Sequence, residues 1–129
     1  VMSGVDQICR CVPYLRNVTT DNSHWITDVA QYFTGEMFSQ REFIFHKNSL
    51  CVMRKGSCVR RGQILLRDAC IGEDMILTTE VLKDTACPRT ITSCEVMMLS
   101  RDDLRIVCEK HSDLNMFIRQ AQIRLAVRR

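Results

Sequence analysis

From Glu36 to Leu66 the chain reads "EMFSQREFIFHKNSLCVMRKGSCVRRGQILL", a series of short β-branched or aromatic runs. Breaks fall at Gln40-Arg41, Lys47-Asn48-Ser49, Lys55-Gly56 and Arg61-Gly62. Turn signals at this spacing predict a small antiparallel sandwich or jelly roll.

On either side the period is helical. "VDQICRCV" reads as a short helix closed by Pro13. "TTDNSHWITDVAQYF" (19–33) offers Thr20 or Asp21 as N-cap and sets Trp25, Ile26, Val29, Ala30 and Phe33 at helical spacing. Gly35 is the expected stop. "GEDMILTTEVL" interrupts the strands with a helical turn beginning at Gly72, and "RTITSCEVMMLS" returns to strand. Ser100 then caps "RDDLRIVCEKH", where Asp102 and Asp103 suit the positive end of the helix dipole. A last helix over 113–128 places Leu114, Phe117, Ala121 and Leu125 on one face.

A chain of 129 residues, 46% apolar and 26% charged, is the size and composition of one globular domain with its own core. No apolar run is long enough to span a bilayer, and no signal-peptide pattern opens the chain. A start at Val1 is expected of a fragment, with any membrane portion outside it. The eight cysteines stand mostly inside apolar runs such as "LCVM" and "SCEVMML", as small buried hydrophobes do. Only Cys9 and Cys11 are close-set, and no second pair gives them a zinc spacing. Reduced thiols imply a cytosolic or nuclear compartment. Net charge is +3, with aromatics at 6%, too little of either for a nucleic-acid surface.

No catalytic constellation is visible. His24, His46 and His111 lie in three different elements, and no nucleophile elbow, Walker loop or paired-carboxylate site appears. His46, in "FIFHKN", reads as an outward strand residue beside a turn. The Gly72-Glu73 turn carries more. Glycine lets backbone approach a ligand closely, and N–H groups opening a helical turn can meet an anion. Glu73 could accept hydrogen bonds from sugar hydroxyls.

The order of elements and several local strings resemble the cyclic nucleotide-binding domain family over residues 8–128. "VPYL" (12–15) is similar to the family's V-P-x-F, and "SQREFIFHKN" (39–48) to its x-P-G-E-x-I-x-x-x-G strand pair. "VMRKGSCVRRGQIL" resembles its I-x-x-G-x-V hairpin, and "IGEDMIL" the start of its phosphate-binding cassette. "TACPRTITSCEVMMLSRDDL" is similar to the run that follows the cassette arginine. The channel branch looks closest, because "RTITSCEVMMLSRDDLRIV" resembles R-A-L-T-Y-C-D-L-x-x-L-x-R-D-x-L of ether-à-go-go-type and hyperpolarisation-activated channels.

The resemblance implies an α+β fold: an eight-stranded antiparallel β-roll, or jelly roll, with an inserted short helix. It implies one domain over 1–129, with N-terminal helices over 1–33, the roll over 34–100 with its cassette over 70–87, and two C-terminal helices over 101–129. The ligand-binding positions would be Ile71, Gly72, Glu73, Asp74, Met75, Asp84, Thr85 and Ala86. Phe117, Ala121, Leu125 and Val127 would line a lid helix, with Leu125 and Val127 nearest the roll. The implied role is a cytoplasmic, non-enzymatic regulatory domain of a cation or potassium channel. Its partners would be the channel's transmembrane portion and sister subunits, and it would touch the membrane only through the rest of the chain. A cAMP or cGMP sensor, in a channel or a kinase regulatory subunit, is the alternative.

Two departures bear on ligand. Asp84 stands where the family's cassette arginine meets the cyclic phosphate, and the hairpin between Asn48 and Cys51 is shortened. Two unit charges about 4 Å apart interact by about 4 kcal/mol at an effective dielectric of about 20. Exchanging attraction for repulsion therefore costs on the order of a thousandfold in affinity. Lys83 and Arg89 are the candidate substitutes, but in an extended segment Lys83 would point to the opposite face from its neighbour Asp84. Tight binding of a cyclic phosphate is not expected. The cysteine placement gives its own prediction: a thiol count under denaturing, non-reducing conditions should find all eight free, and a native disulfide would overturn the reducing compartment.

Overall fold

The computed structural model describes residues 2–16, 24–79 and 82–128, with side chains from Gln7 onward. The expected N-caps Thr20 and Asp21 lie outside the described residues. Helices α1 (Met2–Cys11), α2 (Pro13–Arg16) and α3 (Trp25–Tyr32) come first. Pro13 both ends α1 and opens α2, a position where its missing N–H costs nothing. Strands β1 (Thr34–Phe38), β2 (Ser49–Lys55), β3 (Cys58–Arg60), β4 (Gln63–Leu65) and β5 (Cys70–Ile71) follow. After a 3₁₀ turn (Glu73–Ile76) come β6 (Arg89–Thr90), β7 (Cys94–Ser100), α4 (Arg101–Lys110) and α5 (Ser112–Arg128).

The strands form two antiparallel sheets, ordered β1-β7-β2-β5 and β4-β3-β6. With the flanking helices they make an α+β β-roll. β2 and β7 hold the larger sheet together, and both faces of this central pair are covered, while edge strand β1 is largely exposed. Leu50 pairs with Leu99 and Val52 with Met97, and these four pack on the helices. Cys51 pairs with Met98 and Met53 with Val96, and these four face the roll interior. The register shifts between Met53 and Lys55, where the hairpin turns toward the second sheet.

The helical layer is tied at both ends. His111 Nε2 lies 2.6 Å from Asp28 Oδ2, joining the end of α4 to α3. Ser100 caps α4, its hydroxyl accepting from the Asp103 N–H at 3.1 Å. Burial pushes the thiol of Cys51 up to about 12 and those of Cys58 and Cys108 up to about 11, which makes them inert fillers at neutral pH.

Several sequence expectations are corrected. Among the described residues there are seven strands and one isolated bridge, Phe43 to Arg89, where eight strands were expected. Backbone pairing there is partial: the Ile44 N–H donates to Pro88 O and the Thr90 N–H to Glu42 O, but the Glu42 N–H is taken by Thr90 Oγ1, whose hydroxyl donates to Ser39 O. α3 stops at Tyr32, not at Gly35, because Phe33 turns extended and Gly35 is drawn into β1 against Met97. "RTITSCEVMMLS" is two strands separated by a bend at Ile91 and Thr92.

The buried face of α5 is Leu114, Ile118 and Ala121, with Leu125 packed beside it. Phe117 is only half-buried, and Val127 is 81% exposed rather than against the roll. Positions three and four apart share a helix face, so Ile118 and Phe117 competed for one place and the aliphatic residue holds it. Truncating Leu114 to alanine should cost about 2–5 kcal/mol in urea unfolding. Val127→Ala should cost less than about 0.5 kcal/mol. Equal costs would show that α5 packs in another register.

Candidate functional site

β5 pairs with β2 through Cys51–Ile71 and Val52–Cys70, and the chain then leaves the sheet at Gly72. Gly72 has φ +75°, the left-handed region that side chains rarely adopt. A Cβ there would lie 2.5 Å from Ser49 O and 2.7 Å from His46 Nδ1, so only glycine fits. Behind it the 3₁₀ turn buries Met75 and Ile76 in the helical core. The Tyr14 hydroxyl donates to Glu73 O at 2.9 Å, pinning the turn from α2.

A cavity of about 360 Å³ opens against this turn. That is a volume suited to a small ligand. Gly72, Asp74 and Met75 form one wall, and Lys83, Asp84, Thr85 and Cys87 another. The third is the tight turn over Phe45, His46, Lys47 and Asn48, closed by the Ser49 N–H donating to His46 O at 2.9 Å. A small adjoining cavity of about 80 Å³ brings in Arg60 and Glu73.

Of the positions expected to bind ligand, Gly72, Asp74, Met75, Asp84 and Thr85 thus line one cavity, and Glu73 its annexe. Ile71 points into the roll interior. Ala86 touches the site through its N–H, which donates to Asp84 Oδ1 at 3.0 Å. The lid residues Phe117, Ala121, Leu125 and Val127 line neither cavity. α5 packs on the outer side of the 3₁₀ turn instead, where Gln122 Nε2 donates to Ile76 O at 2.8 Å.

Asp84 is engaged on every side. Its N–H donates to Oδ2 of buried Asp74 at 2.7 Å, and its own carboxylate accepts from Arg61 at 2.6 Å. The Ala86 N–H, with Arg61 and Arg60 behind it, holds the Asp84 carboxyl below its ordinary range against the opposing effect of burial. A depressed pKa adds stability at neutral pH and loses it only as pH falls through the depressed value, below 3.8. Asp84 is therefore a carboxylate at neutral pH, where a cyclic phosphate carries one negative charge.

Lys83, expected on the opposite face, lines the same cavity, its Nζ 3.0 Å from Asn48 Oδ1. Arg89 does not: it donates to Arg41 O and lies 5.3 Å over the Phe43 ring. His46, expected outward, faces the cavity, and its buried Nε2 has no hydrogen-bond partner among the described residues. The signal that could have found it is the tight turn at Lys47-Asn48, which swings the preceding side chain inward.

No protein-family model matches the chain, and no curated protein matches its sequence. Solved structures do. The N-terminal domain of a transcriptional regulator from Streptomyces coelicolor A3(2) superposes with a TM-score of 0.66 at 16% identity, covering 94% of this chain and 88% of that one. cAMP-bound PfPKA-R matches with 0.61 at 13% identity, over 96% of this chain and 45% of that one. The C-linker/CNBHD of zELK channels matches with 0.61 at 15% identity, over 80% of this chain and 56% of that one. This chain has the cyclic nucleotide-binding fold. It spans about half the length of the PfPKA-R and zELK chains. Among the described residues no helix is long and apolar enough to cross a membrane.

With the fold in place, the ion pair at the cassette is the feature to test. Arg61→Ala should raise the Asp84 pKa toward 3.8, read by carboxyl-detected NMR titration. An unchanged titration would show that the Ala86 N–H and Arg60 hold the carboxylate without Arg61.

Proposed function

We propose that this chain is a non-enzymatic regulatory domain whose cassette binds cyclic nucleotide weakly or not at all, and which couples its helices to the gate of a cation or potassium channel. Its partners on this reading are the channel's transmembrane portion and sister subunits, on the cytoplasmic side. The observation that carries it is Asp84: it lines the cavity, it is ionised, and it is tied to Arg61 outside. Asp84 gives a cyclic phosphate no attraction, and neutral backbone donors return little. Its pairing with Arg61 lowers the repulsion below the bare-charge value of about 4 kcal/mol at about 4 Å and an effective dielectric of about 20. Coupling without ligand needs only that the helices move as a unit with the cassette, and α4 begins directly from β7, while α5 rests on the 3₁₀ turn.

The second reading is a nucleotide sensor in a channel or kinase regulatory subunit. Lys83 in the cavity wall, together with the backbone at Gly72, favours it, since a cation at that wall would offset part of the Asp84 charge.

Calorimetric titration with cAMP and with cGMP separates the two. On the first reading each binds more weakly than micromolar. Asp84→Arg should then tighten binding at least tenfold, and Asp84→Asn should give part of that gain with less disturbance of the fold. Submicromolar binding by the unaltered protein would establish the sensor. No gain in either folded variant would mean that Asp84 does not stand where the cyclic phosphate goes.

A further inference from the structure

Ile76, the residue after the cavity's Met75, lines a different cleft, about 280 Å³, between α4, α5 and the 3₁₀ turn. Arg101 and Arg105 enter it from α4, and Arg119 from α5, with Asn115, Gln122 and Thr78 between them. Among the described residues no carboxylate lines it. Arg105 has a companion outside, Asp102 at 3.7 Å, but both ends of that pair are largely exposed and hold each other weakly. Arg101 is the telling one. Its NH1 reaches Leu77 O only at 3.5 Å, and its buried Nε has no hydrogen-bond partner among the described residues. Three guanidinium groups around one cleft repel one another, and a buried donor left unmade is costly. An oxyanion would relieve both, because guanidinium donors match phosphate or carboxylate oxygens in pairs.

The cleft continues. Ile76, Thr78 and Gln122 also line an adjoining cavity of about 200 Å³, whose remaining wall is Leu77, Thr79, Leu82, Ile123 and Ala126. One end is cationic and the other apolar. We propose that this cleft is a second binding site, for a small amphiphile with a phosphate or carboxylate head among Arg101, Arg105 and Arg119 and a short apolar tail along Leu82, Ile123 and Ala126. Among the described residues it shares none with the cassette cavity, so it stands whether or not a cyclic nucleotide binds there.

The test uses octyl phosphate, octanoate, inorganic phosphate and octanol, titrated by calorimetry with amide NMR shifts followed in α5. Octyl phosphate or octanoate should bind, shift Arg119 and Ile123, and bind at least tenfold more tightly than inorganic phosphate. Burial of two or three methylenes is enough for that ratio. Arg105→Gln and Arg119→Gln should each weaken binding about tenfold. Arg124→Gln, on the same helix but lining neither cavity, should leave it unchanged. Equal affinity for octyl phosphate and inorganic phosphate would overturn the tail assignment, and equal affinity for octanol would overturn the head. Equal weakening by Arg124→Gln would reduce the effect to net charge, and absence of binding by any probe would overturn the site. Excess cAMP should not displace the amphiphile; displacement would place it in the cassette cavity instead.

Discussion

The pairing of β2 with β7 is the constraint on which the other elements depend. Both strands are buried on both faces, so their alternation sorts residues between two apolar layers rather than between core and water. Leu50, Val52, Met97 and Leu99 go to the helices; Cys51, Met53, Val96 and Met98 go to the roll. A slip of one residue would exchange the two sets, putting the leucines where the smaller cysteine side chain is accommodated. The cysteines are therefore read best as size choices. At Cys51, facing Ile71 across the pair with β5, a larger side chain would meet an interior with no space to give.

That wall also explains how the cassette keeps its shape. Ile71 is locked in the roll interior, and Met75 and Ile76 are locked in the helical core four and five residues later. Gly72 makes the short passage between the layers in a conformation others resist, and Tyr14 holds the turn from the N-terminal side. Of these anchors Gly72 and Met75 also line the cavity, while Ile71 and Tyr14 hold it from behind. The outline of the cavity is a by-product of core packing, so its charges can change without its collapse. Asp84 illustrates the point: Asp74, Ala86 and Arg61 satisfy it from within the protein.

Local chemistry was legible in the sequence, and tertiary direction was not. The turns at Arg41, Asn48, Gly56 and Gly62 adopt the positive φ that their breaks announced, and Ser100 caps α4 as its neighbours Asp102 and Asp103 suggested. "FIFH" has strand composition, but its pairing stops at the bridge from Phe43 to Arg89, because the chain turns at Lys47-Asn48 and the facing segment before Arg89 is irregular. Lys83 was misplaced for a different reason. Period-two alternation holds only along a paired strand, and 83–88 is irregular, so Lys83 and Asp84 can both line one cavity. Arg61 reaches Asp84 from another turn of the chain, a meeting that no short window of sequence contains.

The two cavities on the 3₁₀ turn differ in how their charge is balanced. In the first, Lys47 and Lys83 stand against Asp74 and Asp84, so the wall is balanced without a guest. In the second, three arginines line the wall with no acid among the described lining residues, so an oxyanion there would meet uncompensated cations. A ligand shifts a conformational equilibrium only by the difference in its affinity for the two states. A self-balanced cavity offers a phosphate little such difference, whereas an unbalanced one offers an oxyanion a good deal. Both clefts share the turn that α2 pins and α5 covers. If the proposed amphiphile site is occupied, the leverage over the helices lies on the α4–α5 side of the turn, away from the cassette cavity.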